Sequence, residues 1–167
     1  MQMAVSPKSK HILVPIDDKE HCVRAFDWYL ENYGPDKQHI LLLHVYSSLN
    51  HVRQSSTDSD SEDISDIQEA DLKNLMEAAK EQAKVMLEKF EVKCRKNKIP
   101  VKTRIELGSP GEVICKVAKE ENVTCILLGN RGLGAFRRTI LGSVSDHVVH
   151  HSRCPVIIVP PRSEHKS

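Results

Sequence analysis

Short, almost continuously apolar segments are the feature that most constrains how this chain can fold. The clearest is His39–Tyr46, in which nearly every residue is apolar. Such a run indicates a strand that is buried on both faces, as strands of a parallel sheet are. Residues 11–17, 125–128 and Val156–Val159 read in the same way, whereas Val101–Leu107 alternates apolar with polar residues and predicts a half-buried strand at a sheet edge.

The segments between these strands carry apolar residues at spacings of three and four, which is typical of amphipathic helices. The pattern predicts helices over residues 22–33 and 72–94, a third that begins with Ser109 as cap in a box closed by Glu112 and ends at Asn122, and a short fourth one that ends at His151. Strands that alternate with helices predict an α/β fold. We expect a Rossmann-like, doubly wound, parallel five-stranded sheet with helices on both faces.

A glycine-rich stretch follows the fourth strand and leads into the last helix. It contains Gly129, Gly132 and Gly142, and then Ser143 and Ser145. Glycines between a strand and a helix let backbone N–H groups approach an anion, so this arrangement predicts a phosphate-binding loop. The structural alternative is a surface loop in which Ser143 caps the helix, with Asp146 three residues later completing a capping box.

The spacing of these residues is more specific than their composition. A glycine, two residues, a second glycine, nine residues, a third glycine and a serine resemble the ATP-binding signature of the universal stress protein family. The stretch has no glycine-lysine-serine ending, as a Walker A loop would, and Gly132-Leu-Gly134 lacks the third glycine of a dinucleotide fingerprint. The resemblance covers residues 10 to 161 approximately and implies the sheet order 3-2-1-4-5.

The resemblance also implies a ligand, a set of binding residues and an assembly. The ligand would be ATP, with AMP or ADP as alternatives and Mg²⁺ held through the phosphates. Contacts to adenine and ribose are implied for Pro15, Asp17, Val45, Leu128 and Gly129, and contacts to the phosphates for Gly132, Gly142, Ser143, Val144 and Ser145. The family forms homodimers through the last strand, here Val156–Val159, whose apolar edge is a liability if left unpaired.

Two of the candidate groups have alternative interpretations. Asp17 follows the first strand and would face the glycine loop across the crevice, yet Asp17 or Asp18 could instead cap the next helix. Arg131, Arg137 and Arg138 lie within the loop, where one of them is a candidate charge-assisted donor to phosphate, and we include Arg131 in the predicted site. They could equally face the solvent.

Composition limits the class of protein. A chain of 167 residues predicts one domain over residues 1–167, and a formal net charge of +1 lacks the basic excess of a nucleic-acid binder. The apolar runs are too short to span a membrane and the N-terminus lacks the apolar core of a signal peptide, so we expect a cytoplasmic protein without a membrane partner. Five scattered cysteines without a Cys-x-x-Cys pair suggest neither a disulfide framework nor a zinc knuckle.

Two metal sites are conceivable, and neither is favoured. The acidic insertion at about residues 47–66 is predicted to be a mobile loop. Its acids are spaced partly as in an EF-hand, but Asp63 stands where the turn needs glycine. His147 and His151 share a helix face, yet two histidines with Asp146 make a thin ligand set. We therefore expect no metal held by protein side chains.

Three functions agree with this pattern. The first is an ATP-binding regulatory or stress-response module, and the second is a slow ATP hydrolase. Hydrolysis would need a positioned base or a water-orienting group, and none is evident near the loop. The third is a dimeric, chaperone-like interaction protein in which the nucleotide is incidental. We favour the binding module over an enzyme.

Overall fold

The computed structural model describes residues 11–33, 39–46, 69–131 and 141–161, and of residues 69–72 only the backbone. The acidic insertion predicted at about 47–66 lies outside these residues, as do Gly132, Arg137 and Arg138. The described chain forms five strands and four helices. In order they are β1 (His11–Pro15), α1 (Glu20–Asn32), β2 (His39–Tyr46), α2 (Glu69–Lys96), β3 (Val101–Leu107), α3 (Pro110–Glu120), β4 (Cys125–Gly129), α4 (Ser143–His151) and β5 (Val156–Val159).

The strands form one parallel sheet in the order β3-β2-β1-β4-β5, which confirms the predicted architecture and strand order. The central strand β1 pairs with β2 from His11↔His39 to Pro15↔Leu43, and on its other side it pairs with β4. Strand order therefore reverses between β1 and β4. In a doubly wound sheet this reversal opens a crevice beyond the carboxyl ends of these strands.

Apolar side chains cover both faces of the sheet, which explains the almost continuous apolar runs. In β1, Ile12 and Val14 belong to one core cluster and Leu13 to the other. The first cluster joins the sheet to α1 and α2, where the rings of Phe26 and Phe90 meet edge to face with centroids 5.0 Å apart. The second cluster joins the opposite face to α3 and α4. The sheet is thus fixed from both sides.

The two edge strands differ in character. On β3, Arg104 Nη2 lies 2.6 Å from Glu120 Oε2, and Lys102 Nζ lies 2.7 Å from Glu121 Oε2. Charged side chains on an edge strand disfavour pairing with another chain. The other edge strand, β5, consists of Val-Ile-Ile-Val and carries no charge. The sheet therefore has one charged edge and one apolar edge.

The helix starts confirm one predicted cap, without its capping box, and decide against two alternative caps. Ser109 is the N-cap of α3, with Pro110 in the first turn, but its side chain makes no capping hydrogen bond, so the box with Glu112 does not form. Ser109 contributes its carbonyl instead, which accepts the Val113 N–H at 2.9 Å. Gly142, not Ser143, is the N-cap of α4. The N-cap of α1 is Lys19, and neither predicted aspartate takes that position.

The helix α2 contains the predicted stretch 72–94 and begins three residues earlier. None of the helices in the described residues is both long enough and apolar enough to cross a membrane.

Candidate functional site

A cleft lies at the carboxyl ends of β1, β2 and β4, and the start of α4 closes one side of it. The space between its lining residues is about 680 Å³ when the open solvent at its mouth is included. Of the eleven residues predicted for the nucleotide site, ten line this cleft, and the eleventh, Gly132, lies outside the described residues. The ten are Pro15, Asp17, Val45, Leu128, Gly129, Arg131, Gly142, Ser143, Val144 and Ser145.

One part of the lining is apolar. Pro15 and Val45 come from neighbouring strand ends, and Leu128 comes from β4. The sequence analysis missed four further apolar residues of this lining, which are Ile16, Leu43, Pro110 and Ile114. Ile16 comes directly after β1, and its N–H donates to the Leu43 carbonyl at 2.8 Å. This hydrogen bond extends the pairing with β2 beyond Pro15. These side chains can contact a flat apolar ring.

Asp17 provides the carboxylate of the cleft. Its Oδ1 accepts the backbone N–H of Lys19 at 2.8 Å, which turns the chain from β1 into α1. The carboxylate therefore stabilises the turn before the helix without being its N-cap. Its side chain is 32% exposed, so lone pairs remain available to hydroxyl or amine hydrogens of a ligand.

The start of α4 forms the opposite wall. The Gly142 carbonyl accepts the Asp146 N–H at 2.8 Å and closes the first helical turn. The N–H groups of the three residues between them have no partner within a helix, and no side chain caps this end. Together with the helix dipole, these donors make the wall a place where an anion is stabilised. Ser143 and Ser145 add hydroxyl groups to the same wall.

Glycine occupies positions 129 and 142 for different structural reasons. At Gly129, a Cβ atom would stand 1.8 Å from the backbone oxygen of His21, so this glycine is required by the close approach of α1 to β4. The sequence analysis had attributed it to the close approach of backbone N–H groups to an anion. At Gly142, a Cβ atom would meet nothing within 4 Å, and φ of −68° with ψ of 157° suits any L-residue. Gly142 leaves its space to the cleft.

His21 and Cys22 also line the cleft, and the sequence analysis did not include them. Burial lowers the pKa of His21, Asp17 partly opposes this effect, and Arg131 and Arg24 add to it, so the imidazole is neutral near pH 7. Burial also raises the pKa of the Cys22 thiol well above its ordinary value, with Asp17 contributing in the same direction. Their one sequence signal was His21 lying four residues after Asp17.

Arg24 connects α1 to the residue that follows β4. Its Nη2 donates to the carbonyl of Asn130, and its Nη1 lies 3.6 Å from Glu20 Oε1. Since Arg131 comes directly after Asn130, this contact fixes the backbone from which Arg131 reaches the cleft. The guanidinium of Arg131 is thus placed where the glycine-rich stretch begins.

His147 and His151, which were considered as metal ligands, stack on each other. The rings of His147 and His151 stack with centroids 4.2 Å apart, and His151 Nδ1 lies 2.8 Å from the His147 carbonyl oxygen. In the described part of the chain, no third histidine, cysteine or acid stands beside them in a ligand group.

Comparisons with known proteins agree with this architecture. The model of the universal stress protein family matches residues 8–160. A universal stress protein A-like protein of Arabidopsis thaliana is 31% identical over 143 residues, which are 83% of this chain and 77% of that protein. The solved structure of hypothetical protein MJ0577 matches with a TM-score of 0.73 at 25% identity and covers 94% of this chain and 99% of that one.

A further solved structure carries a ligand. It is a universal stress protein family protein of Arabidopsis thaliana, At3g01520, with AMP bound, and it matches with a TM-score of 0.63 at 24% identity, covering 95% of this chain and 96% of that one. At this identity the likeness shows the common fold. With a family model that spans nearly the whole chain and a relative of the same family above 30% identity, the chain belongs to the universal stress protein family.

Proposed function

We propose that this chain binds an adenine nucleotide in the cleft and acts in the cytoplasm as a nucleotide-dependent regulatory module of the stress response. ATP is the proposed ligand, with ADP and AMP as alternatives. One observation carries the proposal. Ten residues predicted from the sequence come from the ends of three strands and the start of a helix, and they line a single cleft.

The lining suggests an orientation for the nucleotide. The base would lie against the apolar side chains of Pro15 and Val45, and the ribose hydroxyls would donate to Asp17. The AMP bound in the Arabidopsis structure supports an adenine nucleotide as the kind of ligand.

The phosphates would then reach the start of α4. Free N–H groups, the hydroxyls of Ser143 and Ser145, and the Arg131 guanidinium offer neutral and charged donors. Among the described lining residues, the sole carboxylate is Asp17, which we assign to the ribose. A Mg²⁺ ion would therefore be held through the phosphate oxygens instead of by protein side chains.

We propose binding without efficient turnover. Phosphoryl transfer to water needs a group that orients or deprotonates the water. In the described lining, two side chains could accept a proton from water, which are the carboxylate of Asp17, already assigned to the ribose, and the imidazole of His21. This histidine supports a second candidate function, slow ATP hydrolysis. In single-turnover assays, a rate abolished in His21→Gln with ATP affinity unchanged would establish that function, and no hydrolysis by the wild type would remove it.

We also propose a homodimer through β5. The Pro155 carbonyl accepts the N–H of Ile126 in β4, and the Val159 carbonyl accepts the N–H of Asn130, which follows β4. By alternation Ile157 also faces β4, and Ile158 presents its backbone groups to the free edge. Ile158→Pro would remove an edge donor without removing a bond within the sheet. Light scattering should give a dimer for the wild type and a monomer for this variant, and a monomeric wild type would contradict the assembly.

The nucleotide proposal is tested by titration calorimetry with ATP, ADP and AMP, each with and without Mg²⁺. We expect wild-type binding to weaken at least about tenfold in Asp17→Asn and in Gly142→Val, since each change removes one good contact or fills the ligand's space. Asp18→Asn is the matched control, because Asp18 pairs with Lys19 and does not line the cleft. No heat with any nucleotide would overturn the proposal and leave a chaperone-like interaction protein.

A further inference from the structure

Three side chains of different metal-ligating chemistry converge at the cleft wall formed by the start of α1. They are the Asp17 carboxylate, the His21 imidazole and the Cys22 thiol, and one ligand atom from each lies within 4.8 Å of the others. In the described part of the chain, this is the one group of three or more such residues. All three line the cleft, so a dissolved ion can reach them.

The three residues are brought together by local structure. Asp17 follows β1, and His21 and Cys22 lie in the first turn of α1. The Lys19 N–H holds Asp17 Oδ1 at 2.8 Å, and the second oxygen, Oδ2, lies 4.0 Å from His21 Nε2. Two ligands of a tetrahedral zinc ion stand about 3.5 Å apart. The Asp17–His21 separation would therefore have to shorten by about 0.5 Å, and the separations from the Cys22 thiol, which are at most 4.8 Å, by at most about 1.3 Å.

The donor set selects the kind of metal. Calcium and magnesium prefer oxygen ligands in larger number, whereas one oxygen, one nitrogen and one sulfur suit zinc. A carboxylate and a thiolate together carry the charge that neutralises a divalent ion, and the thiol proton would pass to solvent as the sulfur–zinc bond forms. The fourth tetrahedral position would face the cleft, where water completes the shell.

Two of the cations near this site have acceptors of their own, which reduces their repulsion of a metal ion. Lys19 Nζ lies 3.1 Å from Asp18 Oδ1, and Arg24 lies beside Glu20 and donates to the Asn130 carbonyl, so both charges are partly balanced. Arg131 is the remaining cation that lines the cleft.

We propose that Asp17, His21 and Cys22 form a three-ligand zinc site in the cleft. The site itself does not depend on nucleotide binding. Its regulatory consequence does rest on the proposed function: Asp17 cannot serve zinc and the ribose together, so zinc and nucleotide would compete. Zinc would then lower the fraction of the protein that accepts nucleotide.

The test is titration of the full, reduced, nucleotide-free chain with Co²⁺, which replaces zinc and gives a visible tetrahedral spectrum and a near-ultraviolet thiolate band. We expect one equivalent to bind. Cys22→Ala should lose the thiolate band, and His21→Gln and Asp17→Asn should weaken binding by about 10-fold to 100-fold or more. Cys115→Ala, which changes a half-buried thiol outside the cleft, should bind like the wild type.

No thiolate band in the wild type, or a band that survives in Cys22→Ala and disappears in Cys115→Ala, would overturn the site. Because Cys22 is buried, the fold of its variant is checked by circular dichroism, and His21→Gln provides an independent test of the site. The competition is measured separately, as the apparent AMP affinity with and without zinc. Zinc should weaken it in the wild type and leave it unchanged in Cys22→Ala. AMP binding unaffected by zinc in the wild type would refute the competition and leave the metal site.

Discussion

Gly129→Ala tests the contact between β4 and α1. The added Cβ would stand 1.8 Å from the His21 carbonyl oxygen and 2.5 Å from its carbon, whereas real Cβ contacts are not shorter than 3.0 Å. The atoms that must retreat belong to the backbone of a helix whose side chains Ala25, Phe26 and Tyr29 are buried in the core. Overpacking of this kind costs about 1–3 kcal/mol, and a backbone clash belongs at the upper end or beyond it.

We therefore expect Gly129→Ala to lower the free energy of unfolding by about 3 kcal/mol, which at this chain length is a fall in Tm of about 6–12 °C. Urea and thermal unfolding followed by circular dichroism measure both quantities. Gly142→Ala is the matched control, because its Cβ meets nothing within 4 Å, and it should cost no more than about 1 kcal/mol, which is the usual cost of alanine at an N-cap. Equal stability of the two variants would refute the packing argument.

Two further predictions concern the sheet. Leu41→Ala removes a fully buried side chain of β2 and should cost about 2–5 kcal/mol in urea unfolding, whereas Leu107→Ala, at a position 43% exposed, should cost less than about 1 kcal/mol; equal costs would contradict the assigned core. Hydrogen bonds from Lys102, with Arg104 adding to them, lower the pKa of Glu121. The stabilisation from the ionised Glu121 is present above the ordinary glutamate pKa and is lost as the pH falls through the lowered value. Glu121→Gln should therefore be less stable than the wild type by under about 1 kcal/mol at neutral pH and equally stable in acid. A difference in stability that stays constant at all pH values would contradict an origin in the Glu121 charge.

The architecture could be predicted because the burial of strands and helices determines the local pattern of apolar and polar residues. Strands covered on both faces must be apolar at nearly every position, as His39–Tyr46 is. The convergence of Asp17, Val45 and Gly129 could also be predicted, because the carboxyl ends of parallel strands meet at one edge of the sheet. The strand order itself came from the family resemblance.

Other features depended on contacts that no local pattern encodes. The partner of Gly129 is the backbone of His21, far away in sequence, so the reason for this glycine emerges only when α1 packs on β4. His21 and Cys22 lie in the first turn of α1 and belong to no sequence motif. Their position in the cleft depends on the turn at Asp17, which orients this end of the helix. The capping box expected at Ser109 failed because hydrogen-bond geometry, and not residue type, decides whether it closes.

The central claim is that an adenine nucleotide lies with its base near β1 and β2 and its phosphates at the start of α4. Backbone amide NMR shifts recorded with ATP and with adenosine test it most directly. ATP should shift the amides of Val45 and of residues 143–145, and adenosine should shift Val45 while leaving residues 143–145 almost unchanged. Shifts confined to the groove lined by Lys116, Lys119 and Arg153, or no shifts with ATP, would contradict the account.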